Sequence, residues 1–378
     1  VTLTDLATPA EVDELVRLRR DFHRHPELGY QEVRTSGIVA ARLRELGLDV
    51  RDGLARTGVI ADRGTGRGLY VRADMDALPI VEANDVEYRS ANDGVMHACG
   101  HDAHTAINLL VASRFANADF DARLRFGFQP AEEGGMGADR MIEEGGLEGV
   151  EAALGLHVWN SMPVGIIGVT PGPAMASVDD FSIRVHGVGC HAAEPHQGDD
   201  PVPRAARIID ALQTIVSRTV SPYERAVLSV TKVHGGSAFN VIPDQVELGG
   251  TIRTFDEGVR QQMHARLREI VGEQGDVEIH GLTRVLVNDP GMCGLVHEAA
   301  ASVVGAGNVL DDVVTMGGED FASVLAEVPG CFFFVGSAAP EGGHPHHNAR
   351  FDIDERCLPI GLEVMTRSVR LWLERGRG

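Results

Sequence analysis

At 378 residues the chain is longer than one hydrophobic core usually organises, which favours two domains, and a hydrophobic fraction of 43% excludes a disordered chain. Asp and Glu number 55 against 34 Lys and Arg, a formal charge of −21 with Lys232 the only lysine, so no nucleic-acid partner is expected. No stretch nears the ~18 apolar residues of a membrane span, which argues against a membrane partner as well.

Five scattered cysteines (Cys99, Cys190, Cys293, Cys331 and Cys357) show no disulfide framework, and VTLTDLATPAEVDEL lacks the basic-then-apolar order of a leader. Both point to a reducing, cytoplasmic setting.

The first helix is signalled by Thr8-Pro9-Ala10-Glu11, a capping box with proline at the first helical position, followed by Val12, Leu15, Val16 and Phe22 at helical spacing. His25-Pro26 ends it. A second helix is predicted over about 36–46, with Gly47 as its stop. GLYVRADMDALPI then reads as a buried strand turning polar at Asp74 and Asp76. The same design recurs in ARLRFGFQPAEEGG, which ends at Glu132 and Glu133, and in EAALGLHVWN, which ends at His157. DAHTAINLLVASRFANAD between them reads as a helix. This alternation predicts an α/β domain with a mostly parallel central sheet and helices on both faces, its polar residues collecting beyond the carboxyl ends of the strands.

From about Ser177 the order becomes β, α, β, β, α, β, the ferredoxin-like split-βαβ signature of an inserted α+β lid or dimerisation domain. The expected boundaries are 1–177 and 288–378 for the larger domain and 178–287 for the insert.

The polar strand ends Asp74, Asp76, Cys99, His101, Glu132, Glu133 and His157, with His344, His346 and His347 near the C-terminus, form one constellation. Singly each is weak, because most lone histidines and glutamate pairs are surface residues. Together, imidazole, carboxylate and thiolate make a ligand set suited to Mn, Zn, Co or Ni more than to magnesium or calcium. Gly100 allows Cys99 and His101 to aim at one point. Side chains alternate along an extended segment, so of Glu132 and Glu133 one should bind metal and the other stay free. A free carboxylate beside a metal-activated water is what amide hydrolysis requires.

RADMDALP, MHACGHDAHTA, GFQPAEEGG, GLHVW, CHAAEPHQGDDPV, AFNVIPD, GTIRTF, MGGEDF and HNARFD occur in this order along nearly the whole chain. The set resembles the two-metal metallo-aminoacylase and carboxypeptidase family, and within it the hippurate hydrolase, auxin-conjugate amidohydrolase and N-acyl amino acid deacetylase branch. The resemblance implies a zinc-peptidase-like catalytic domain with two divalent ions per subunit. It implies metal ligands Cys99, His101, Glu133, His157 and His347, with the Cys99 thiolate bridging the ions where other branches use a carboxylate. It further implies Glu132 as general base and acid acting on a metal-bridging hydroxide, and Asp76 as the aspartate that orients a ligand. His191 would stabilise the oxyanion, commonly over a partner's site, while Asn240 and Arg253 hold the substrate's carbonyl or carboxylate. The implied substrate is an N-acyl amino acid, and the implied assembly a homodimer or homotetramer through the lid.

Two departures stand out. GVGCHAA replaces the branch's GKGGHAA, so a positive φ at that glycine would leave Cys190 strained. Ala349 replaces a preferred proline, which should only loosen the loop carrying His347. The alternatives are a dipeptidase or aminocarboxypeptidase of the same chemistry, a thiol hydrolase with Cys99 as nucleophile and His101 or His104 as base, and a non-catalytic binding protein.

Overall fold

The structure, a computed structural model, describes residues 6–376, so residues 1–5 of the stretch read above for a leader lie outside it. Two compact units emerge. One comprises the chain up to Gly172 together with Val287–Val313 and the part from Ser323 onward; the other comprises Pro173–Leu286 and Val314–Ala322.

In the first unit, helix α1 (Pro9–Arg24) opens on the Thr8–Glu11 capping box and buries Leu15, Leu18 and Phe22. Helix α2 spans Val33–Glu45. Five strands follow: β1 (Asp49–Leu54), β2 (Gly58–Gly64), β3 (Gly68–Asp74), β4 (Arg123–Gln129) and β5 (Val150–Pro163), with helix α3 (His101–Ala116) between β3 and β4. The eight-stranded sheet runs β1, β2, β4, β3, β5, Gly330–Ala338, Ile167–Gly168, Val309–Leu310. Its centre, from β4 through β3 and β5 to Gly330–Ala338, is parallel. The β1–β2 and β2–β4 pairs are antiparallel, so the sheet is mixed.

Both faces of the β3 backbone are covered, and its residues are buried throughout, which explains its unbroken apolar run. Helix α3 packs against α1, β3 and the Cys357–Arg375 helix. It is buried almost all round, which accounts for its lack of a polar stripe.

The β1–β2 hairpin has no counterpart in the sequence reading. Its turn places Ala55 at φ 45° and Arg56 at φ 78°, a conformation usually announced by Asn-Gly or Asp-Gly at those positions, whereas the nearby Asp52-Gly53 lies earlier, at the irregularity in β1. Strand β5 also corrects an expectation. It continues past His157 to Pro163, pairing with Gly330–Ala338 beyond that residue, so His157 sits within a strand and not beyond its end.

The second unit carries a four-stranded antiparallel sheet in the order Ala226–His234, Gln245–Thr254, Ser177–His186, Gly275–Thr283. Helices Pro201–Thr214 and Glu257–Val271 close its core over Phe181, Ile183, Val185, Leu212 and Met263. Chain order and sheet order together are those of a split βαβ arrangement. Among the described residues no helix is long and apolar enough to cross a membrane.

Candidate metal centre

The turn at Gly100 builds the first part of the site. Gly100 has φ 97°, and a Cβ there would stand 2.3 Å from Val158 Cγ2, so glycine is required for both conformation and space. The turn delivers His101 as the first residue of α3 and brings Cys99 Sγ to 3.4 Å from His157 Nε2. His157 Nδ1 donates to the Val158 carbonyl at 2.7 Å, which leaves Nε2 with its lone pair facing Cys99. Burial, reinforced by the His104 and His346 rings, holds the pKa of His157 well below the usual histidine range, so the ring is neutral.

Glu132 and Glu133 do not lie in an extended segment. Glu132–Gly135 forms a short irregular turn, with Glu133 at φ −67°, ψ 67° and Gly134 at φ 80°, between Ala131 at φ 51° and Met136 at φ 56°. The alternation argument from sequence therefore fails, and both carboxylates come near the same ring. His101 Nε2 lies 3.9 Å from Glu132 Oε2, 4.0 Å from Glu133 Oε1 and 3.6 Å from Asp74 Oδ2. Asp76 accepts the Glu132 and Glu133 backbone N–H groups, each at 3.0 Å, and faces His101 Nδ1 at 3.3 Å.

The three C-terminal histidines separate clearly. His347 Nε2 is 3.2 Å from Glu133 Oε1, and its backbone N–H donates to Ala98 at 2.8 Å. His346 Nε2 accepts the Asn160 N–H, and its ring stacks on Trp159 at 4.6 Å. His344 offers its carbonyl to the Asn160 side chain. The loop is further held at Ala349, whose carbonyl accepts the Ala83 N–H at 2.8 Å.

Donor atoms thus converge in three sets, Cys99–His101–His157, Cys99–Glu133–His347 and His101–Glu132–Glu133, each within 4.8 Å. Asp74, His101 and His104 also converge. His104, however, donates from Nδ1 to Asp74 at 2.6 Å and accepts the Val158 N–H at Nε2, so both its nitrogens are engaged. Its role, unforeseen from sequence, is to fix Asp74 and the residue after His157. His101 Nε2 is buried without a hydrogen bond. Leaving such a group unsatisfied is costly, and its gaps to the carboxylates suit ligands around a shared ion better than hydrogen bonds. The residues fit a divalent metal.

The electrostatics agree. Burial raises the pKa of the Cys99 thiol well above its usual value, and Glu133 and Glu132 raise it further. Burial works the other way on His101, but Asp74 and Asp76 outweigh it and lift the pKa to about 10. Without a cation, a proton therefore stays on each, and Cys99 has no thiolate with which to act as an independent nucleophile.

In the second unit, Cys190–His191 pairs with Val241–Ile242, and the Ala192 N–H donates to the Asn240 carbonyl at 3.0 Å. His191 and Asn240 line one open concavity with Ser237. His191 Nδ1 accepts the Ala193 N–H at 3.1 Å, so the ring presents Nε2–H as a donor. Cys190 is extended in this ladder and is not among the residues with positive φ, so the anticipated strain does not arise. Arg253 stands at the far end of Gln245–Thr254, roughly 26 Å along the strand from Gln245 at the usual rise per residue.

Two outcomes are expected from this geometry. Gly100→Ala should cost about 2–4 kcal/mol of unfolding free energy by combining a left-handed backbone with overpacking, measured by denaturant titration. Metal binding at pH 8 should release the protons of both His101 and Cys99. Affinity should consequently rise with pH up to about 10, at roughly two log units per pH unit. Calorimetry in buffers of different ionisation enthalpy would measure the release, and a pH-independent affinity would contradict the charge balance described.

Comparison with known proteins gives a concordant result. The family model for peptidase family M20/M25/M40 matches residues 70–371. N-acetyl-L-cysteine deacetylase of Bacillus subtilis (strain 168) is 40% identical, covering 95% of this chain and 89% of its own. IAA-amino acid hydrolase ILR1-like 4 of Arabidopsis thaliana is 38% identical over 93% of this chain and 84% of its own, and thermostable carboxypeptidase 2 of Saccharolobus solfataricus is 38% identical over 92% and 93%. Among solved structures, the YXEP protein of Bacillus subtilis, described as a dinuclear metal binding peptidase from the M20 family, superposes with a TM-score of 0.82. It is 36% identical and covers 97% of this chain and 99% of its own. The chain belongs to peptidase family M20/M25/M40 and is a metal-dependent hydrolase of amide bonds.

Proposed function

We propose that this protein hydrolyses the amide bond of N-acyl amino acids to a carboxylic acid and a free amino acid. In this reading two divalent ions, drawn from Mn, Zn, Co and Ni, are held by Cys99, His101, Glu133, His157 and His347. The observation that carries the proposal is the sharing of Cys99 between two donor sets, with His101 and His157 in one and Glu133 and His347 in the other. When bound, such a pair acidifies water and polarises an amide carbonyl.

The chain's own residues do the rest. Glu132, mostly buried on its turn, takes the proton from water and passes it to the departing nitrogen. Asp76 holds the backbone of Glu132 and Glu133 and orients His101 through Nδ1. His191 offers its Nε2–H to the carbonyl oxygen as charge develops there, with Asn240 beside it. Arg253 takes the substrate carboxylate through its planar fork. A small substrate cannot bridge the Gln245–Thr254 strand. In this reading, then, His191 and Asn240 act at one site while Arg253 acts at another, and a homodimer or homotetramer supplies both.

The deacetylase and IAA-amino acid hydrolase relatives support the substrate class, and the carboxypeptidase relatives favour peptide bonds as the second reading. A panel of acetyl-, benzoyl- and indolylacetyl-amino acids beside dipeptides, scored by amine release, separates the two. Chelation should abolish turnover, added Mn²⁺, Zn²⁺, Co²⁺ or Ni²⁺ should restore it, and loaded metal should shield Cys99 from alkylation. Glu132→Gln is expected to lower kcat by about 10²–10⁴-fold; near-normal turnover in that variant would remove Glu132 from the role of base. Mixing His191→Ala with Glu132→Ala subunits should restore activity that neither variant has alone. Failure of exchanged subunits to recover it would count against shared sites.

A further inference from the structure

Three successive backbone N–H groups ahead of the site each meet a buried carboxylate oxygen. The Ala131 N–H donates to Glu32 Oε1 at 2.9 Å, and those of Glu132 and Glu133 donate to the two oxygens of Asp76. Glu32 is fully buried, and its second oxygen accepts the Thr57 hydroxyl at 2.6 Å. It also caps the start of α2, where its carbonyl accepts the Ser36 N–H, so it is anchored from three directions.

The turn it contacts needs holding. Ala131, a non-glycine residue, sits at φ 51°, and Met136 at the other end sits at φ 56°. Such conformations are strained for a residue that carries a Cβ and persist only where the surroundings over-determine them. The segment Gly29–Glu32 supplies that constraint. A Cβ on Gly29 would lie 3.0 Å from the Ala131 Cα, and the Tyr30 hydroxyl donates to the Gly135 carbonyl at the end of the turn.

We infer that Glu32 is a positioning residue for the hydrolytic centre: by holding the Ala131 N–H it sets the direction in which Glu132 and Glu133 leave the chain. The inference rests on the proposed roles of Glu132 as base and Glu133 as ligand. What the role requires is an acceptor at a fixed place, not a charge. Glutamine retains one acceptor oxygen at the same reach and can donate its amide to Thr57, whereas aspartate keeps the charge and falls short by one methylene.

The test compares Glu32→Gln, Glu32→Asp, Glu32→Ala and Thr57→Val in the full chain. Co²⁺ affinity is read by chelator competition, and kcat and KM are read on the best substrate of the acyl-amino acid panel. Glu32→Asp and Glu32→Ala should each lose about 10–100-fold in Co²⁺ affinity and in kcat, with KM close to wild type and Glu32→Gln near wild type throughout. Thr57→Val, which cuts only the outer bond, should lower the melting temperature while leaving Co²⁺ affinity and kcat near wild type. Wild-type behaviour of Glu32→Asp, or a loss in Glu32→Gln as large as in Glu32→Ala, overturns the inference. Should Glu32→Ala not fold, the Asp and Gln variants decide alone. If Glu132→Gln proves fully active, the assignment of the base fails, while the Co²⁺ affinity of Glu32→Asp still reports on the turn through Glu133.

Discussion

Four carboxylates and a thiol crowd one buried imidazole, and the surrounding structure is organised to tolerate that concentration of like charge. Asp74 is bound by Arg72 at 2.7 Å and by His104 at 2.6 Å, and these contacts, against the penalty of burial, hold its pKa well below the usual carboxylate value. Asp76 spends both oxygens on backbone N–H groups. Glu132 and Glu133 approach His101 without bonding it closely. Removing one partner from such an arrangement leaves an uncompensated buried charge, which costs several kcal/mol. A cation answers the excess, and the protons on His101 and Cys99 are its weaker substitutes.

Holding these groups together falls to buried ion pairs drawn from distant parts of the chain. Arg19, fully buried in α1, contacts Asp102 at 3.0 Å, one residue after His101, and Asp352 at 2.6 Å, in the segment following His347. His23, one turn further along α1, reaches the same Asp102 at 2.7 Å. The N-terminal helix therefore ties the turn bearing Cys99 and His101 to the loop bearing His347. Buried pairs of this kind add little net stability but penalise misplacement of either partner, which suits a site assembled from several distant segments.

The elements whose side chains repeat with a regular period were legible in the sequence: the capping box of α1, the apolar run of β3 and the βαββαβ order of the second unit. The residues that converge in the three sets around Cys99 and His101 were singled out by the sequence as well, because imidazole, thiol and carboxylate are chemically distinctive among apolar neighbours. Backbone conformation was not. The hairpin turn at Ala55–Arg56 and the left-handed Ala131 and Met136 that flank the Glu132–Gly135 turn use residues with no preference for those conformations, so tertiary contacts impose them. Burial also hides roles. In the sequence nothing announces that His104 holds Asp74 and the Val158 N–H or that His346 accepts the Asn160 N–H, and His347 is set apart from its neighbours only by the HNARFD motif.

The choice of a thiol at position 99 has a consequence of its own. A carboxylate there, with an unperturbed pKa several units below a thiol's, would give up its proton far more readily beside Glu132 and Glu133 and add to the repulsion. Cys99 instead remains neutral until a cation arrives, because burial and those same carboxylates keep its proton in place. The metal-free site thus carries one negative charge fewer than a carboxylate version would, and the charge appears only when there is an ion to receive it. Deprotonation and loading become a single event, which links the stability of the empty fold to the same residue that the proposed function places between the two ions.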